Sequence, residues 1–220
     1  MNLPATLRLT SPLLLAVILA GCSHFRGGPE NPAPETAAVS APAAELAGLR
    51  ARLGEATSLL NRTLGNLARM PNAGVTAEAY AAFNRDQNTF AAASAALLAD
   101  SGLVRNNGNA YFAAWRDHTA DIKNPEIKAV AEQRRVFLEQ RYNAMLPPLV
   151  TARAELKTFV DDTADIAKAL AYDQTPAGVA AITPLIDRTV ERGEAADDSL
   201  KTLGAELDAI IALLPPAPKN

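Results

Sequence analysis

The sequence predicts an all-α protein, an elongated antiparallel bundle of about four long helices with coiled-coil character. Three observations carry that expectation. Alanine supplies 46 of the 220 residues, and it is both the strongest helix former and small enough to let helices approach closely. From Ala43 to Leu214 apolar residues recur at alternating three- and four-residue steps, the period of a narrow helical seam. No stretch alternates as a strand does, and the Pro- and Gly-containing breaks are short, so consecutive helices must fold back on one another.

Each element follows from its stripe. The first runs from Ala43 to Met70 on Leu46, Leu49, Leu53, Ala56, Leu60, Thr63, Leu67 and Met70, and Pro71-Asn72-Ala73-Gly74 ends it. Thr76 caps the second, whose stripe is Tyr80, Phe83, Gln87, Phe90, Ser94, Leu97, Ser101, Val104, Gly108, Tyr111, Trp115, His118 and Ile122. Arg105-Asn106-Asn107-Gly108-Asn109 has the composition of a loop. The three-four phase nevertheless runs through it, which favours one helix from Thr76 to Lys123 over a break at Asn106–Asn109.

Asn124-Pro125 opens the third element, proline being suited to the first helical position. It carries Ile127, Val130, Phe137 and Leu138, then Tyr142, Met145, Leu149, Ala152, Leu156, Phe159, Thr163, Ile166 and Leu170. Pro147-Pro148 predicts a kink or short interruption inside it. Thr175-Pro176 starts the last helix on Val179, Ile182, Ile186, Thr189, Gly193, Ala196, Leu200, Leu203, Leu207, Ile210 and Leu214, with a bend expected at Pro184.

The N-terminus has a different character. A short n-region with one charge at Arg8 precedes an apolar run from Leu9 to Leu19. That run is too short for a bilayer core, which takes about 20 apolar residues, but it suits a signal peptide. It ends in Leu19-Ala20-Gly21-Cys22, which resembles the lipobox of bacterial lipoproteins, and Cys22 is the sole cysteine of the chain. The resemblance implies removal of residues 1–21 and acylation of Cys22. A bacterial protein would then be held on a membrane by its acyl chains, each buried methylene contributing about 0.8 kcal/mol. Ser23 stands where an aspartate marks inner-membrane retention in that class, which implies the outer membrane, facing the periplasm. Residues 22–42 hold Gly27-Gly28, Pro29, Pro32, Pro34 and Pro42 with few apolar side chains. They read as a disordered tether with a reach of roughly 60 Å. Residues 215–220 read as a disordered tail.

Composition narrows the chemistry. A single cysteine excludes an internal disulfide and an iron–sulfur cluster. A formal net charge of −3 argues against nucleic acid, which needs a basic stripe. His24 and His118, the two histidines, leave little for a metal site, and no cofactor is expected. No nucleophile elbow or phosphate loop is present, and the thiol is consumed by lipid, so the expectation is a non-enzyme.

The run Asn109-Ala110-Tyr111-Phe112-Ala113-Ala114-Trp115, with Ile122-Lys123-Asn124-Pro125-Glu126-Ile127, Arg134-Arg135 and later Phe159, Asp161, Ile166 and Leu170, resembles an uncharacterised family of helical bacterial envelope proteins. The likeness covers about Thr76 to Leu214. It implies long helices and no site.

Three constellations remain as candidates. Asp161-Asp162-Thr163-Ala164-Asp165 resembles the DDxxD magnesium motif of isoprenoid synthases, but the companion Asp197-Asp198-Ser199-Leu200-Lys201 departs from it, and a solvated acidic face is the better reading. His118, in the seam near Asp117 and Asp121, is either a half-buried histidine or a weak cation site. Tyr111, Phe112 and Trp115 form core or, with His118, an interaction patch, with Phe112 the natural partner anchor if exposed. Lys128, Arg134, Arg135, Arg141 and Arg153, interleaved with Glu132, Glu139 and Glu155, read as a charged face paired at helical spacing. The sequence therefore points to an envelope lipoprotein serving as a helical spacer or protein-interaction module, with a membrane and an envelope protein as partners and self-association open. The alternative is a binder of a small ligand or cation between helices.

Overall fold

The apolar stripes become the buried seams of five helices. The structure, a computed structural model, describes residues 36–73 and 75–214. The helices are α1 (Thr36–Ala73), α2 (Ala77–Ala120), α3 (Pro125–Ala144), α4 (Leu146–Tyr172) and α5 (Pro176–Ile211), and no strand occurs among the described residues. The expected signal peptide, the lipobox-like run with Cys22, the expected tether as far as residue 35 and the expected tail 215–220 lie outside the described residues.

Four rods run up, down, up and down. α3 and α4 form the third, interrupted at the single residue Met145, two positions before Pro147-Pro148, where two successive residues lack a donor. The seam crosses the interruption without losing phase: Leu138, Tyr142, Met145, Leu149, Ala152, Leu156, Phe159, Thr163, Ile166 and Leu170 are all buried. α1 packs on α2 and α5, and α4 on the same two, so α1 and α4 sit across a diagonal of the square. Phe90 and Phe159 meet edge to face in the middle, with centroids 5.5 Å apart. Gly193 lets this layer close, since a Cβ there would stand 2.7 Å from both Leu64 and Phe159.

The turns are fixed by their caps. Thr76 Oγ1 accepts from the Ala79 amide at 3.1 Å, and Asn124 Oδ1 accepts from Glu126 and Ile127 at 2.9 and 3.2 Å. At the other end Thr175 Oγ1 accepts from Gly178 while donating to Asp173 at 2.6 Å. The Thr175 hydroxyl and the Thr175 backbone amide, both donating to Asp173 Oδ1, hold that carboxyl below the usual carboxylate range.

Two expectations change at the start and middle of the bundle. The tether, expected to reach residue 42, is helical from Thr36 onward, so α1 begins seven residues before Ala43. Ala37, Ala38 and Ala41 favour helix, and the packed turn at Ala43 and Leu46 propagates it backward past Pro42. α2 is one unbroken helix through Asn106–Asn109, about 65 Å long at 1.5 Å per residue. Its register, however, slips. Buried positions run Ser101, Val104, Gly108, Phe112 and Thr119, placing Phe112 eleven residues after Ser101. An eleven-residue spacing is three turns of a locally unwound stripe, and beyond it the seam lies one residue later than a strict heptad places it.

Candidate functional site

The register slip decides what the sequence-predicted residues can do. Phe112, expected beside the seam and a candidate anchor if exposed, is only 3% exposed and is core. His118, expected in the seam, is exposed, and Thr119 takes the inward position, its hydroxyl donating to the Trp115 carbonyl at 2.9 Å. Tyr111 and Trp115 are half-buried.

Together with Tyr142 of α3 these side chains build an aromatic cluster. Phe112 stands edge-on to Tyr142 at 5.5 Å and to Tyr111 at 5.1 Å, and lies nearly parallel to Trp115 at 6.4 Å. Gly108 makes the cluster possible. A Cβ there would fall 2.2 to 2.5 Å from Cε1, Cζ and Oη of Tyr142, so the ring rests on bare α2 backbone. Its hydroxyl donates to the Val104 carbonyl. Burial, and then the negative charge of Glu45, pushes the Tyr142 phenol well above its ordinary value. Tyr111 is also raised by burial, and its hydroxyl finds no hydrogen-bond partner among the described residues.

The acidic face resolves into separate ion pairs. Asp161 pairs with Lys157 at 2.5 Å, Asp162 with Arg192 of α5 at 2.5 Å, and Asp165 with Lys168 at 2.8 Å. Among the described residues no group of three His, Cys, Asp or Glu side chains converges as a metal site. Asp162 and Asp165 instead edge an open groove of about 330 Å3 between α4 and α5, floored by Ile166 and Ile182 and flanked by Arg188 and Arg192. The aspartates and the aromatic cluster do not come together. Tyr80 of α2 donates to the Ala167 carbonyl, which fixes the level of the aspartates on α2. Tyr111 lies on the order of 40 Å further along that helix. A ligand pocket shared by Tyr111, Trp115, His118 and Asp161–Asp165 is therefore not formed.

Of the basic residues expected to pair at helical spacing, Arg135 does so on α3, whereas Lys128 donates to the Ala120 carbonyl and Arg141 reaches Glu206 of α5 at 3.9 Å. Arg135 is buried at 7% exposure and takes both Glu132, three residues before it, and Glu139, four after. The guanidinium pulls the Glu132 carboxyl below the ordinary range. Arg134 donates to the Leu213 carbonyl at the end of α5 and its guanidinium lies over the Phe137 ring.

Sequence reasoning missed an exposed apolar edge. Ile127, Val130 and Phe137 were expected in the seam of the third helix, yet they are 58%, 68% and 43% exposed. Arg134 shares their helix face, four residues after Val130 and seven after Ile127, and it contacts the turn just after α5. α5 stops there, ahead of Pro215-Pro216. Beyond it no helix among the described residues covers Ile127 and Val130, and every residue from Lys123 to Val130 is exposed. The signal was present in the spacing: Val130 and Phe137 repeat at seven, one position out of phase with Leu138 and Met145.

No family model, curated protein or solved structure matches the chain. Among the described residues no helix is long and apolar enough to cross a membrane. The candidate site therefore stands on its own geometry: a packed aromatic cluster, and beyond it a hairpin end with an uncovered apolar edge.

Proposed function

We propose that this protein is a non-enzymatic envelope lipoprotein, held to a membrane through acyl chains on Cys22, whose helical bundle serves as a spacer or interaction module on the periplasmic side. One observation carries the reading: the sole cysteine stands directly after Leu19-Ala20-Gly21, at the end of an apolar run of signal-peptide length. The bundle supports it. Its buried seam threonines bond internally, Thr63 and Thr163 donating to carbonyls of their own helices. Its candidate acidic residues are engaged in ion pairs. What remains is a helical bundle with surfaces and open grooves.

The reading is tested by growing cells on labelled palmitate and comparing the native chain with Cys22→Ser. Label on the native chain alone, recovered with outer-membrane fractions, is the expected result. A native chain without label, or equal label on both, refutes the anchor. Cross-linking in intact envelopes addresses the module: a reproducible envelope-protein adduct is expected, and its absence argues against an interaction role.

A further inference from the structure

The start of α1 and the uncovered edge of α3 lie toward the same end of the bundle. Asn107 of α2 donates to both carboxylate oxygens of Glu45 at 3.0 Å, which sets α1 and α2 level at those residues. From that level α1 runs back nine residues to Thr36 and α2 runs forward thirteen to Ala120. The two stretches are parallel in space, so the start of α1 and the α2–α3 turn share one end, with the turn further out. Cys22 precedes Thr36 by 14 residues, a stretch that spans at most about 50 Å.

We propose that the outer part of the α2–α3 hairpin rests on the phospholipid surface that receives the acyl chains of Cys22, with Ile127 and Val130 entering the interface. The inference rests on the acylation reading above. It is the location of the chain's outgoing N-terminus that selects a lipid surface over a protein partner. A membrane bound within reach of Thr36 is held at high local concentration near this end. Trp115, half-buried on the same hairpin, has the apolar body and polar edge suited to that depth.

Charge refines the proposal. From Arg116 to Lys128 the hairpin carries Arg116, Lys123 and Lys128 against Asp117, Asp121 and Glu126. With no net charge to attract anionic headgroups, contact depends on the apolar side chains, and a zwitterionic surface suffices.

The test uses the full acylated chain in phosphatidylcholine vesicles containing a spin-labelled lipid. Once Cys22 is acylated, Val130→Cys provides a single free thiol for an environment-sensitive fluorophore. Tyr172→Cys, at the α4–α5 turn and about 60 Å away along the third rod, is the control. Quenching several-fold stronger at 130 than at 172, unchanged when phosphatidylglycerol is added, is the expected result. It should fall toward the control level when Ile127→Glu is introduced, with helix content intact. Equal weak quenching at both positions on a chain that still floats with the vesicles overturns the docking and leaves the anchor standing. A chain that does not float, and whose Cys22 carries no acyl mass, overturns both. A fluorophore at 130 that is shielded without vesicles, in proportion to protein concentration, shows the edge to be a contact between copies and also overturns the proposal.

Discussion

Replacing Gly108 with alanine sets two effects against each other on one helix. Alanine favours an α-helix over glycine by about 1 kcal/mol, so the change should stabilise α2 wherever a methyl group fits. At Gly108 it does not fit: the new Cβ would lie 2.2 Å from Cε1 of Tyr142, inside the ring's contact radius. The ring cannot swing aside freely, because Phe112 stands against its other side and its hydroxyl is bonded to Val104. Overpacking of this kind costs about 1–3 kcal/mol, and the displaced hydrogen bond adds about 1 kcal/mol. After the propensity gain, Gly108→Ala should destabilise the protein by about 2 kcal/mol. Gly102→Ala supplies the comparison, since its Cβ would meet only Arg153 Nη1 at 3.8 Å, and it should gain up to about 1 kcal/mol. Urea unfolding followed by far-ultraviolet circular dichroism reads both. Equal stability of the two variants would refute the contact between Tyr142 and the α2 backbone. A Gly108→Ala/Tyr142→Leu double variant should lose less than the sum of its singles, because the clash is shared.

The two buried tyrosines should respond oppositely to loss of their hydroxyls. Tyr142→Phe loses the bond to Val104 and should cost about 1 kcal/mol, whereas Tyr111→Phe removes a buried hydroxyl lacking a described partner and should gain about 1 kcal/mol, both read by thermal unfolding. Because Tyr142 is raised when folded, its stabilising contribution is complete below the unfolded phenol value of about 10 and is lost as pH rises toward the folded value. An absorbance titration should find its phenolate appearing only as the helices melt; ionisation in a fully helical chain would count against its burial. The Glu132 carboxyl is depressed when folded, so its contribution is present above the ordinary carboxylate range and disappears as pH falls through the folded value. In Arg135→Met, carbon-detected NMR should find Glu132 titrating back in the usual range.

The seams of α1 and α5 were legible because their core positions, the buried Asp197 apart, are marked by apolar or small residues at unbroken spacing, from Leu46 to Met70 and from Ile186 to Leu214. Continuity of α2 through Asn106–Asn109 was legible too, although composition argued for a loop. The register beyond Gly108 was not. Tyr111 and Phe112 are both aromatic, and the choice between them is made by the Tyr142 ring, a residue of another helix. Ile127 and Val130 were read as seam because they are apolar; what leaves them uncovered is the end of α5, about 80 residues later in the chain. The acidic face was legible as solvated, but its partner Arg192 comes from α5 and local spacing could not reveal it.

The packing of α1 against α5 joins the first helix to the last. Arg50 of α1 grips Asp208 with two hydrogen bonds of 2.9 and 3.0 Å, and a Cβ on Gly204 would touch Leu53. A chain made from its N-terminus can pair α1 with α2 early, since they are neighbours in sequence, but the other flank of the α1 stripe waits for Leu200 to Ile210. Until those residues emerge, Leu46, Leu49 and Leu53 belong to a half-built core. A chain stopped ahead of those residues would leave the α1 stripe open along that flank.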